Sequence, residues 1–350
     1  MALSSSGSST PSKGKVREYF IAADVVDWDY APSGKNGTTG EEFDDVAKVF
    51  TEQGPNRIGH VYRKSIYHGY TDATFTRQIV RPKTDAYMGQ LGPIIRAEVG
   101  DTIKVTFKNN TPFPASVHPH GVFYDKNSEG APYAGHTGND DAVPLGGTHD
   151  YLWQVPERAG PGPMDGSTVM WMYHSHADEA ADVYAGLMGP MVITKKGMAK
   201  PDGSPKDFDR EVFMNYEVQN ETGSPWIDWN IEHHASDPAS VDVDDEEFGE
   251  SNLMHGINGY VYGNMPEVEL SKGKKTRWYL MAMGTEVDLH TPHWHGNTVL
   301  AMGMRMDTVS VFPATMITAD MTPDNSGNWL FHCHVNDHLS AGMVGSYKVS

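Results

Sequence analysis

The stretches WMYHSHADEAADVYAGLM (171–188) and WLFHCHVNDHLSAGM (329–343) decide how this chain is read. Each sets aromatic residues ahead of two histidines that flank a single residue. In the second stretch that residue is Cys333, the one cysteine of the chain; in the first it is Ser175. On a strand, residues i and i+2 share a face, so a His-x-His presents two imidazoles side by side and turns the residue between them to the opposite face. Two further pairs, His118/His120 and His293/His295, bring eight of the 17 histidines into this arrangement. Imidazoles are costly to bury unpaired and are favoured ligands of copper, zinc, iron and nickel. Four such pairs therefore predict a multinuclear metal site.

The halves of the chain repeat each other. GPIIRAEVGDTIKVTFKNN (92–110) followed by SVHPHG (116–121) corresponds to MPEVELSKGKKTRWYLMAM (265–283) followed by TPHWHG (291–296). The two opening stretches correspond in the same way. Runs such as YFIAADVV, TIKVTFKN, GPMVITKK, REVFMNYEV and MVGSYKVS are short, rich in β-branched and aromatic residues, and bounded by turn formers. They predict an all-β chain of antiparallel Greek-key sandwiches, one domain duplicated. The expected boundaries are a disordered Ser/Gly-rich leader at 1–15, domain 1 at 16–196, a linker at 197–209 and domain 2 at 210–350. The acidic stretch ASDPASVDVDDEEFGES (235–251) reads as a solvated surface loop.

Composition narrows the function. A formal net charge of -19 over 350 residues disfavours nucleic acid and anionic lipid as partners and suits the approach of cations. No apolar run reaches the roughly 18–20 residues of a membrane span. A single cysteine excludes an intrachain disulfide and leaves the compartment open. That thiol faces opposite to His332 and His334, and His290, His338 and Met343 can join it. Two imidazoles, a thiolate and a weak thioether form the ligand set of a blue-copper electron-transfer centre.

The motifs HPHG, HSH, HTPHWHG and HCHVNDHLSAGM resemble, in order and spacing, the four copper-binding motifs of the multicopper oxidases. The first half looks especially like ceruloplasmin and its relatives, and the two-domain length resembles the small laccases. That resemblance implies two cupredoxin-like domains and four coppers per chain: one type 1, one type 2 and a type 3 pair. His290, Cys333, His338 and Met343 would bind type 1 copper. His118 and His293 would hold type 2, and His120, His174, His176, His295, His332 and His334 the type 3 pair. The first half has lost every type 1 ligand together, with Ser175 for the thiolate, Ala115 for His290, Leu187 for Met343 and no histidine at the spacing of His338.

The implied reaction couples one-electron oxidation of a small reductant to reduction of dioxygen to water. Asp125, Glu129 and Asp337 are candidate proton carriers, and Tyr124 a candidate redox tyrosine. Laccase-like oxidation of phenols and aromatic amines is the leading expectation. A metal oxidase is the alternative, with Glu286 and Asp288 receiving ferrous iron, or with Met302, Met304 and Met306 on one strand face holding cuprous ions. A copper nitrite reductase or a copper-binding electron-transfer protein are more remote alternatives. The resemblance also implies export from the cytoplasm and a homotrimer in which each cluster is shared between neighbouring chains.

Overall fold

The computed structural model describes residues 14–350, so the expected leader lies outside the described residues up to position 13. Lys15 already belongs to the fold, its N–H donating to Asp101 Oδ1 at 2.7 Å. The first half holds two four-stranded sheets. One runs Val61–Tyr70, Val16–Asp29, Thr102–Asn109, Thr148–Gln154 in spatial order; the other runs Ile95–Glu98, Met188–Thr194, Thr168–His174, His118–Pro119. Thr102–Asn109 alternates strictly, burying Ile103, Val105 and Phe107, and these meet Ile95, Ala97, Tyr173, Met191 and Ile193 of the facing sheet in one core. Burial of one face is what fixes the strand register.

The second half repeats the plan. Its site-bearing sheet runs Val268–Leu270, Val344–Val349, Gly327–Cys333, Pro292–Trp294, the same order as its counterpart. The facing sheet has six strands: Leu253–Ile257, Arg210–Asn220, Thr276–Ala282, Met316–Met321, Val299–Ala301 and Met304–Met306. The architecture is all-β and cupredoxin-like, with only short helices. The sheets are mixed, however, and not antiparallel throughout. Val16–Asp29 runs parallel to Thr102–Asn109, and Arg210–Asn220 parallel to Thr276–Ala282. Both pairs are joined by long connections through other elements, which is what parallel neighbours require.

The acidic stretch is more than a solvated loop. It ends in the helix Glu246–Ser251, capped by the Asp245 carboxylate, and this helix buries Phe248 completely. Phe248 packs in a cluster with Tyr30, Phe50 and Tyr62 of the first half and Met254 and Tyr262 of the second. The stretch between Thr194 and Arg210 carries no helix or strand.

The halves are also tied by a buried ion pair. Lys64 and Glu221 are both without solvent exposure. Lys64 Nζ donates to Glu221, to Tyr30 Oη at 2.9 Å and to the Tyr184 carbonyl at 2.7 Å. Removing one partner of such a pair strands the other charge and costs roughly 3–5 kcal/mol, whereas an apolar replacement of both is often close to neutral. Lys64→Met should therefore destabilise by roughly 3–5 kcal/mol in chemical denaturation, and Lys64→Met/Glu221→Leu should recover more than half of that loss. Losses that simply add would show that the pair is not acting as a unit.

Candidate metal centre

The strand Gly327–Cys333 pairs with Pro292–Trp294 so that His332 stands opposite His293, and Thr168–His174 pairs with His118–Pro119 so that His174 stands opposite His118. Register across the sheet thus gathers residues far apart in the chain. In the first half, His118, His120 and His174 can offer ligand atoms that all lie within 4.8 Å of one another; in the second, His293, His295 and His332 do the same. His176 and His334 complete the sets, with ring centroids 5.1 Å from His118 and 5.4 Å from His293.

The orientation of these rings decides what they can bind. His174 Nδ1 lies 2.9 Å from the Ser175 carbonyl and His332 Nδ1 lies 2.7 Å from the Cys333 carbonyl. His118 Nδ1 is held by the Glu129 carbonyl at 2.6 Å and His293 Nδ1 by the Asp307 carbonyl at 3.0 Å. A carbonyl only accepts, so each Nδ1 carries the proton and each Nε2 keeps a lone pair. Yet His120 Nε2 faces His174 Nε2 at 3.1 Å, and His295 Nε2 faces His332 Nε2 at 3.1 Å. Burial lowers the His174 pKa to about 3 and the His120 pKa to about 4, with repulsion from neighbouring imidazoles adding to both. In each facing pair a single Nε2–H of His120 or His295 can bridge to the lone pair of His174 or His332, and neutral imidazoles whose nitrogens converge in this way fit a bound cation in place of that proton.

The third group is His290, Cys333 and His338. Cys333 Sγ lies 3.9 Å from His290 Nδ1 and 3.6 Å from His338 Nδ1, and the two Nδ1 atoms are 3.1 Å apart. All three residues are buried, as is Met343, whose carbonyl accepts a hydrogen bond from the Cys333 N–H at 3.1 Å. Burial alone would raise the thiol's pKa, but hydrogen bonds from His290 and His338 bring it down to about 6. A buried, readily ionised thiol converging with two imidazoles fits a soft, thiophilic metal such as copper.

The matching place in the first half is filled, not vacant. Ser175 Oγ donates to Asp182 Oδ2 at 2.6 Å and accepts from the Ser116 N–H at 3.0 Å. The Asp178 N–H also donates to Asp182 Oδ2, at 3.0 Å. Ala115 and Leu187 are buried beside them. A carboxylate on the helix Glu179–Ala185 has taken the place of the metal ligands.

Other expected residues fall in different surroundings. The Tyr124 ring is 6.0 Å from that of His118. The Asp125 carboxylate accepts from the Asn127 N–H at 3.2 Å, and that of Glu129 pairs with Lys126. Glu286 and Asp337 are exposed, but Asp288 is fully buried and does not share the surface with Glu286. Met302, Met304 and Met306 do not form one strand face: Met302 lies in the turn and is exposed along with Met304, while Met306 packs on the core. Sequence reasoning missed Asp182 and also His255, a buried imidazole 5.5 Å from the His338 ring. Neither belongs to a recurring spacing.

Comparison with known proteins identifies the family. Two multicopper oxidase domain models match residues 86–197 and 232–350. The chain belongs to the multicopper oxidase family. It is 43% identical over 349 residues to hephaestin from Rattus norvegicus, covering 97% of this chain and 30% of that protein. It is 44% identical over 340 residues to the ferroxidase HEPHL1 from Homo sapiens, covering 95% of this chain and 29% of that protein. Human ceruloplasmin is 41% identical over 350 residues, with 97% and 33% covered. The chain thus spans about a third of the length of these relatives. A crystal structure of a multicopper oxidase superimposes with a TM-score of 0.61 at 18% identity, covering 98% of this chain and 92% of the other. A blue copper oxidase from Nitrosomonas europaea gives 0.59 at 16% identity, with 96% and 86% covered.

Two predictions come from the filled site. Ser175→Cys alone should not create a second blue centre, because both imidazoles and the thioether remain absent; a doubled blue absorbance per chain contradicts this. Burial raises the Asp182 pKa from 3.8 to about 6. A carboxyl with a raised folded pKa binds its proton more tightly when folded, so its contribution to stability is lost as pH climbs through 4–6. Asp182→Asn should therefore gain stability over the parent across that range and hold the gain above it. A gain independent of pH would show that Asp182 does not titrate there.

Proposed function

We propose that this chain is a unit of a copper-dependent ferroxidase in which four ferrous ions are oxidised to ferric and one dioxygen, taking up their four electrons and four protons, is reduced to two waters. When bound, copper would supply one-electron acceptance at the thiolate centre and four-electron delivery to dioxygen at the histidine sets. The observation that carries the reading is the convergence of His290, Cys333 and His338 in a buried pocket, with His332 and His334 on the opposite face of the same strand segment. In this reading His290, Cys333, His338 and Met343 hold type 1 copper. His118 and His293 hold type 2, and the other six paired histidines hold the type 3 pair, four coppers per chain in total.

Residues of the chain provide the path between these places. Cys333 presents its thiol to one site while its carbonyl holds Nδ1 of His332, a ligand of the other. Tyr124 and Glu129 adjoin His118, the tyrosine through its ring and the glutamate through its carbonyl. We keep these two, with Asp125, as the candidates for electron and proton supply. The ferrous reading is favoured over phenol oxidation because the relatives at 41–44% identity are named hephaestin, ferroxidase and ceruloplasmin. Exposed Glu286 and Asp337 lie four and one residues before the ligands His290 and His338, oxygen donors that can take ferrous iron and favour the harder ferric product. His255 extends the row of imidazoles beyond His338.

Each histidine set draws on one half only, and each is partly exposed. A three-copper cluster needs one set of each kind face to face. We propose that three chains close head to tail into a ring, each cluster lying between the first half of one chain and the second half of its neighbour. Export from the cytoplasm belongs to the same proposal. Among the described residues no helix is long and apolar enough to cross a membrane.

Two experiments test this. Cys333→Ser should abolish the blue band and reductant-driven oxygen uptake while the histidine sets still bind copper; a retained blue band refutes the type 1 assignment. Of ferrous ion, a phenol and cuprous ion, the first should turn over best. Glu286→Gln/Asp337→Asn should lower kcat/KM for ferrous ion about tenfold, a loss of about 1.4 kcal/mol in transition-state stabilisation, with a smaller effect on the phenol. Equal losses on both substrates would return the laccase reading to the lead.

A further inference from the structure

Asp288 sits two residues before His290 in the loop between the strands Thr276–Ala282 and Pro292–Trp294, with no solvent exposure. An ionised carboxylate is expensive to bury unless donors surround it. Asp288 has three. Its Oδ1 accepts from the Val218 N–H at 2.7 Å and lies 3.1 Å from His290 Nε2; its Oδ2 accepts from the Thr285 N–H at 2.8 Å. The loop is shaped around it: Gly284 has a φ of +115°, and a Cβ there would stand 1.9 Å from Asp288 Oδ2.

His290 has two ring nitrogens with different duties. Nδ1 faces Cys333 Sγ and His338 Nδ1, so a metal there takes the Nδ1 lone pair and leaves the proton on Nε2. Asp288 is the acceptor waiting for that proton. The repeat provides a control. Where Ala115 replaces His290 in the first half, Phe113 stands at the position of Asp288. Imidazole and carboxylate are absent together.

We infer that Asp288 is a positioning residue for the thiolate centre: it fixes the Nε2–H tautomer and ring orientation of His290 and adds a negative charge behind that ligand. A carboxylate behind a ligating imidazole makes it a stronger donor, and ligand partners of this kind tune both affinity and potential. A nearby negative charge favours the cupric over the cuprous state. The inference rests on the copper reading of this cluster.

The test uses the copper-loaded protein. In Asp288→Asn the carboxamide keeps the size and one acceptor oxygen but loses the charge. At a fixed poise in a redox buffer, the ratio of cuprous to cupric type 1 copper should rise about tenfold over the parent, about 59 mV for a one-electron couple, with a displaced blue band and unchanged copper content. A ratio within twofold of the parent and an unmoved band overturn the inference, since a loop-bracing role alone would leave both in place. Should the variant not fold, the parent decides. In its reduced, diamagnetic form, histidine-selective nitrogen NMR should show His290 Nε2 protonated and protected from solvent exchange; an unprotonated Nε2 overturns the inference. Absence of a blue band in the parent would instead defeat the copper reading, and the inference with it.

Discussion

The two-residue period of a β-strand is the constraint from which the rest follows. It sends His332 and His334 to one face and Cys333 to the other, so one strand segment serves two sites at once. The Cys333 side runs into the core, where His290, His338 and Met343 are buried with it. The histidine side opens at the end of the sheet, where His332 meets His293 across the strand pair. The same strand in the first half obeys the same rule, with Ser175 inward against Asp182 and His174 and His176 outward.

The two faces are stabilised by different means. Four of the eight outward imidazoles, those of His118, His174, His293 and His332, are oriented by backbone carbonyls that accept from Nδ1–H, an arrangement that needs no particular partner side chain and occurs in both halves. The inward site depends on side chains supplied by separate segments. Once the thiolate is gone, its partners have no charge to share, and the first half has rebuilt the pocket around a serine–aspartate pair. The outward pairs occur in both halves and the inward set in one.

The fold class and the three clusters of imidazole and thiol side chains are readable because the decisive signals are local: a spacing of two for the histidine pairs, five from Cys333 to His338, and a repeat that aligns the halves. Spacing points to nothing at Asp182 and puts Asp288 on the surface, since what defines each is a contact made only when loops close. Asp288 reads as a surface carboxylate beside Glu286, yet the backbone N–H of Val218, 70 residues away, draws it inside. Likewise the charge of the 235–251 stretch hides Phe248, whose partners lie in both halves. Parallel pairing within each sheet depends on long connections, so the alternation of single strands carried no sign of it. The Lys64–Glu221 pair joins segments 157 residues apart, with nothing in either segment to announce the other.

The central claim is that the two histidine sets of different chains face each other around copper. Crystallographic anomalous scattering at the copper edge, from the loaded protein, measures this directly. The account predicts one copper among His290, Cys333 and His338, and three more at each contact between the first half of one chain and the second half of its neighbour. Copper confined to the thiolate site, or histidine sets left on solvent-facing surfaces with no metal between them, would contradict it.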